Sequence, residues 1–471
     1  MGKFNIKEHF EAFCKEIGMN SHSAGVKSLV FKGEDPVLPD KLRLGAIYAI
    51  PAAAQATQIA DIWHIRTGRS QDIEVDLAQG APMISDIPFT TLNGRPYFNQ
   101  FVTTPNGYNC PFFYKFYPTK DKRLFVPVGF YPHMERAWSE FLNCPATDEA
   151  VKNAIKEWNA EELQEACNAI GLVGSYVRTK DEWYNTKLGK ELQQVPVVKI
   201  TKIADGVPIP WTEHPSRPLS GIRVLGDTHE IMAPIITHTL ANQGADGLQV
   251  SDPNEYWHEF VYMNCLPGVR QAYIDLEDDQ DKQTFHNLAM HADVFVENFR
   301  TQGKIAQQNF VENKLVPGHR GLIYVKAHGY SYDGMTWNDR GCFDPLAIPC
   351  TGVAALEGTL EQPKYSFGNL LNDGISGLCA VPGILEALKR RATEGGSYKV
   401  EVSLCKTSMW CMDLGAFEKT PDVSMPHPRM LEINGNVGKM IRPSSAIFYS
   451  ETEDRWSHGI SYRGADKAEW K

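Results

Sequence analysis

The sequence predicts an α/β fold, in which a parallel sheet wrapped by helices is joined to a smaller α/β domain. Three observations carry this. From Leu219 onward short β-rich runs alternate with helical segments, the rhythm that parallel strands with helical crossovers produce. Residues 93–215 have another texture, with aromatic hairpin-like runs followed by amphipathic stretches around 134–142 and 160–170. Shifted by 327 positions, "AIYAIPAAAQATQIADIWHIRTGRSQDIEVDL" (46–77) also lies ungapped over "DGISGLCAVPGILEALKRRATEGGSYKVEVSL" (373–404). Both stretches have the order helix, Gly-Ser turn, strand.

The elements are taken in chain order. Residues 1–92 form an N-terminal segment holding the first copy of the helix–strand unit, and its strand at 73–77 is expected to belong to a sheet like that of the second copy. Residues 93–215 form the small α/β domain, with "YFNQFVTT" and "CPFFYKFYPTKDKRLFVPVGFY" as its β-rich part. "VPIPWTEHPSRPLSG" (207–221) has four prolines and no apolar period, and is the linker. In 216–417, "GIRVLG", "DGLQVSD", "VRQAYIDL", "DVFVENF", "GLIYVKAHG" and "YKVEVSL" are strands of one parallel sheet, a Rossmann-like domain. "EIMAPIITHTLANQG", the acidic-capped "DQDKQTFHNLAMHA", a short basic helix near Lys304 and the segment after Asp373 are the helices. Residues 418–471 follow a proline-punctuated connection as a C-terminal segment.

Composition narrows function. A formal charge of −10 and the lack of a basic stripe argue against nucleic acid. No apolar run is long enough to span a bilayer, and the N-terminus lacks an apolar signal core, so the expected compartment is the cytoplasm. Ten scattered cysteines without a C-x-x-C pair fit neither zinc nor a disulfide framework, and no metal site is expected.

"PLSGIRVLGDTHEIMAPIITHTLANQGADGLQVSDP", "ADVFVENFR", "RGCFDPLAIPCTGVAALEG", "NDGISGLCAVPGILEAL" and "YKVEVSLCKT" follow one another as in the class III CoA-transferases. The chain resembles that superfamily, which includes CaiB/BaiF proteins, formyl-CoA and carnitine CoA-transferases and 2-methylacyl-CoA racemase. The domain order is permuted relative to the family, as if two copies had been fused and trimmed. The resemblance implies a Rossmann-like CoA-binding catalytic domain, coenzyme A or acyl-CoA as substrate with no permanently bound cofactor, a carboxylic acid as second substrate, and a possible homodimer. It places the nucleophilic carboxylate at Asp373, with Gly374 and Gly377 leaving room and backbone N–H groups for a developing oxyanion. It assigns CoA contacts to Asn298, Phe299 and Arg300, with Arg270, Lys304 and His229 as further candidates.

Three functions compete. CoA transfer between carboxylic acids uses Asp373 as covalent carrier. The resemblance implies that racemisation in the family uses a histidine directly before the aspartate of "GCFDPL", and that position is Phe343 here, which cannot take a proton. A noncatalytic CoA-binding protein would leave Asp373 as a helix N-cap, a role aspartate fills well. Ala46 stands where Asp373 stands in the other copy, so one active centre per chain is expected.

Overall fold

The computed structural model describes residues 4–96, 110–258, 264–300, 311 and 315–471. The run "YFNQFVTT" and Lys304 with its short basic helix lie outside the described residues.

The central sheet has seven strands in the order Arg270–Tyr273, Asp246–Ser251, Arg223–Asp227, Val294–Glu297, Ile323–His328, Ser397–Ser403 and Val198–Ala204. The first six are parallel, as the alternation predicts. The seventh, Val198–Ala204, runs antiparallel to Ser397–Ser403 at the edge. This strand precedes the proline linker, so it joins the large sheet rather than the small domain in which the sequence reading put it. The strand order reverses beside Arg223–Asp227, which leaves a crevice at the carboxyl edge between Asp227 and Glu297, the placement at which open α/β sheets bind ligands. Val224, Val294, Ile323, Val325, Val400 and Val402 are fully buried because helices cover both faces.

The small domain has a three-stranded antiparallel sheet, Tyr117–Pro118, Leu124–Val128 and Val173–Tyr176, packed against short helices on Trp138, Phe125 and Val151. No helix among the described residues is long and apolar enough to cross a membrane, and all ten cysteines are free thiols.

The internal repeat reappears element by element. The helices Leu44–Thr67 and Leu371–Glu394 are both 24 residues long, and their ends sit 327 positions apart. Each closes on a glycine at φ near 70°, Gly68 and Gly395, where a β-carbon is disfavoured. The strand Gln71–Asp76 does not enter the seven-stranded sheet, so the Rossmann-like setting expected for 73–77 is not met and the repeat rests on the matching helix and turn and on the pairing of its strand. It pairs in parallel with Val26–Lys32 and antiparallel with Ile447–Tyr449, a separate three-stranded sheet. Even the pairing is shared: Val75 faces Ile447 as Val402 faces Val198, and Lys32 faces Asp76 as His328 faces Ser403. Residues 26–80 thus form a shortened parallel unit whose missing edge the C-terminal segment supplies.

The two long helices pack on each other. Lys389 at their crossing donates to Gln58 Oε1 at 2.7 Å and pairs with Asp61, while Gln58 donates to Glu386 at 2.9 Å. The helix Leu371–Glu394 therefore lies between the large sheet and the N-terminal unit, with its first turn fixed from both sides.

Candidate active site

A cavity of about 740 Å³ opens at the carboxyl edge of the large sheet, between it and the small domain. Its wall includes Asp373, the strand end Asn298–Arg300, His229 and Phe343. The structure thus gathers five of the sequence-nominated residues (Asp373, Asn298, Phe299, Arg300 and His229) around one space.

Asp373 sits in the first turn of Leu371–Glu394, and it is not the N-cap. That position is Leu370, which makes no side-chain cap. Capping comes instead from Asp344, 29 residues earlier and fully buried. It accepts from Asn372 N at 2.8 Å, Asp373 N at 3.0 Å and Asn372 Nδ2 at 2.7 Å. The repeat has the same device, since Asp35 accepts from Gly45 N at 2.9 Å and Ala46 N at 2.8 Å. Sequence reasoning missed this role for Asp344. The signal was available, because an aspartate precedes each 24-residue helix and neither helix carries a capping residue of its own.

With its own capping duty removed, the Asp373 carboxyl has no hydrogen-bond partner among the described residues and faces the cavity. Burial pushes it well above the usual carboxylate range, and the charges of Asp344 and Glu230 add to this. Burial also lifts Asp344, to about 7, against the pull of its three N–H donors.

The two glycines act differently from expectation. Gly374 and Gly377 are inside the helix, and the Gly374 N–H is already bonded to Leu370 O, so it is no free oxyanion donor. Their small size serves packing. A β-carbon on Gly374 would lie 2.5 Å from Ile84 O, and one on Gly377 would lie 2.7 Å from Met232 O. The segment Ala81–Ser85 of the N-terminal unit is thereby pressed against the turn that carries Asp373.

Asn298 spends both amide atoms on the backbone of His229, accepting from its N at 2.9 Å and donating to its O at 2.8 Å. It therefore fixes the turn at the head of the helix Met232–Ala241. Phe299 lines the cavity from the strand end. The Arg300 guanidinium lies over Gly341, where a β-carbon would sit 2.8 Å from it, and donates to Gly171 O of the small domain at 3.2 Å. His229 is neutral, its pKa lowered to about 3 by burial, and its ring is 4.0 Å from that of Trp257.

Arg270 is a correction. It is buried at the far edge strand, forks onto Asp246 at 2.9 and 3.0 Å and donates to Glu469 O, away from the cavity. An arginine so satisfied is structural. Arg270→Ala is expected to cost about 3 kcal/mol of stability by stranding Asp246, and to leave CoA affinity within twofold of wild type by calorimetry.

His328, Asp333 and Glu401 come within 4.8 Å, the one group of metal-ligand type among the described residues. Lysines already occupy the cation positions. Lys199 and Lys399 reach Glu401 at 3.3 and 3.4 Å, and Lys326 reaches Asp333 at 3.2 Å. Burial would raise Glu401, but His328 and Lys399 hold it well below the usual range. The group is an ion-pair network behind the cavity wall.

A doubly wound α/β sheet with a half-buried, unbonded carboxyl at the edge of a large crevice defines an enzyme that works on a ligand held across that edge. Residues 219–456 match the family model "CoA-transferase family III", and the chain belongs to that family. An acetyl-coenzyme A transferase of Hypoxylon pulicicidum is 25% identical over 83% of this chain and 73% of its own length. An acyl-CoA transferase of Gibberella moniliformis is 24% identical over 84% and 75% respectively. A succinyl-CoA–D-citramalate CoA-transferase of Chloroflexus aurantiacus is 24% identical over 52% of this chain and 62% of its own. Among solved structures, a CAIB/BAIF family protein from Brucella suis is 22% identical with a TM-score of 0.38, covering 47% of this chain and 65% of that one.

Proposed function

We propose that the chain moves CoA from an acyl-CoA thioester to a carboxylic acid, with Asp373 as covalent carrier. The observation that carries this reading is the unbonded, desolvated carboxyl of Asp373 in the wall of the same cavity as Asn298–Arg300. The Asp373 carboxylate attacks the thioester carbonyl and CoA leaves as thiolate, giving a mixed anhydride. The thiolate then attacks the aspartyl carbonyl, releasing the first acid and forming an aspartyl-CoA thioester. The incoming carboxylate attacks that thioester, the thiolate leaves again, and its attack on the new acyl carbonyl yields the new acyl-CoA and free Asp373. No proton is consumed, so no general acid is needed. A desolvated carboxylate is the stronger nucleophile, and the helix N-terminus behind it favours its ionised form.

CoA is held in this reading by Phe299, stacking on the base, and Arg300, forking onto phosphate, on a loop that Asn298 and His229 fix. Phe343 speaks against racemisation. It sits at the head of the helix Asp344–Thr351, its ring is 5.1 Å from that of Phe130, and it has no basic atom.

The test is intact-protein and peptide mass after incubation with acyl-CoAs and hydroxylamine. One hydroxamate per chain, at Asp373, is expected. Adducts at another residue, or none with any acyl-CoA, would overturn the assignment.

A further inference from the structure

We propose that the acyl end of the cavity admits monocarboxylic acids with a bulky apolar body, aromatic acids included, and that Glu230 turns away acids carrying a second carboxylate. This rests on the CoA-transfer reading and names its substrate class.

Two features of the wall converge. The first is aromatic. Phe130 is the centre of a set of rings, 5.4 Å from Phe113, 5.2 Å from Tyr131 and 5.1 Å from Phe343, mostly edge to face. Tyr114 closes the same side, its phenol donating to Asn369 O at 3.1 Å and lying within the fields of Asp344, Asp373 and Glu230. Such rings offer apolar area and shape, and few polar atoms for a second charged group.

The second is Glu230 itself. Its backbone is left-handed at φ 61°, a conformation a glutamate adopts only when its surroundings impose it. Asn298 imposes it by bracketing the preceding residue from both sides. The side chain then turns into the cavity wall and accepts from His258 Nδ1 at 3.0 Å, while His258 Nε2 is 3.3 Å from Phe130 O. Both imidazole nitrogens face acceptors, so the ring is protonated and paired with Glu230, and no N–H of His258 is left for a substrate. Three further basic groups of the wall are engaged, Lys326 with Asp333, His328 with Glu401 and Arg340 with Glu165 at 3.0 Å, and Arg300 is taken by CoA phosphate in the reading above. A substrate anchored by one carboxyl at Asp373 would bring a second one against the Glu230–His258 pair in a desolvated space whose donors are already used, which costs on the order of a hundredfold in affinity.

The test measures kcat/KM for CoA transfer to phenylacetate, hexanoate, succinate and glutarate, and the affinity of the free acids by calorimetry. The proteins are the wild type, Glu230→Gln, and Glu230→Asn, the last chosen because asparagine tolerates the left-handed backbone. The wild type is expected to prefer the monocarboxylates by about a hundredfold, and both variants to narrow that ratio tenfold or more. Parity of succinate with hexanoate in the wild type, or a ratio unmoved in both variants, would overturn the inference. Hydroxylamine trapping in the same samples separates the two readings. Absence of any adduct would sink the transferase reading, while the acid affinities would still decide this one.

Discussion

Asp373→Asn is expected to abolish CoA transfer, by several orders of magnitude, while binding acyl-CoA as tightly as the wild type. The amide keeps the shape of the side chain and cannot form an anhydride, so the loss falls on the covalent step alone. The same substitution is expected to stabilise the fold, because a buried carboxyl raised by desolvation is a liability once it ionises. The sign follows from proton linkage. The native state holds a proton that the unfolded chain, with its carboxyl at the usual 3.8, has already released. Stability is therefore intact below the unfolded value and is lost as pH rises toward the raised native one. Thermal melts should show Asp373→Asn level with the wild type near pH 4 and above it at pH 8. In the active enzyme the same shift is expected to make the rate of hydroxamate formation rise with pH above the usual carboxylate range, once corrected for the titration of hydroxylamine itself. An acid-favoured rate, or unimpaired transfer by the variant, would refute the nucleophile assignment.

Asp344→Ala is expected to be the most damaging single change to the architecture of the site. Asp344 is fully buried and holds three N–H donors at the start of Leu371–Glu394. Removing it strands those donors, at a cost of about 2–4 kcal/mol, offset in part at high pH by the loss of a buried charge. The freed turn carries Asp373, so turnover should fall about a hundredfold as the nucleophile loses its aim. Asp35→Ala supplies the contrast. It strands Gly45 and Ala46 N–H in the other copy, so a smaller loss of about 1–2 kcal/mol is expected, with kcat unchanged, because no reacting group stands on that turn. Denaturant melts and transfer assays on the pair decide it. Equal effects on turnover would mean that the first copy also takes part in the chemistry.

Much of this fold was legible in the sequence because its signals are local. The alternation of Val-rich runs with helical segments fixed the six parallel strands, and the gapless repeat anticipated two helices of equal length with matching glycine ends. The cavity was legible only through the family motifs, which brought Asp373 and Asn298–Arg300 together. What escaped depends on contacts between distant parts of the chain. Val198–Ala204 has the pattern of any half-exposed strand, and only tertiary pairing assigns it to the large sheet. Arg270 looked like a phosphate ligand because an arginine's partner cannot be seen in sequence, and Asp246 lies one strand away. Gly374 and Gly377 suggested access to Asp373, whereas the close approach of Ile84 O and Met232 O explains them. Glu230 gave no signal at all, because its significance lies in a backbone angle.

The completion of the N-terminal sheet by Ile447–Tyr449 has a consequence for how the chain acquires its shape. One edge of the strand Gln71–Asp76 is closed only by residues some 370 positions further along the chain, a pairing of high sequence separation that forms late in folding. An open, half-apolar edge is the surface on which strands of neighbouring chains add. The exposed face of Gln71–Asp76 carries Asp72, Glu74 and Asp76, and Lys32 of the neighbouring strand pairs with the last two, so the early part of the unit is held together across its polar face as well as by its ladder.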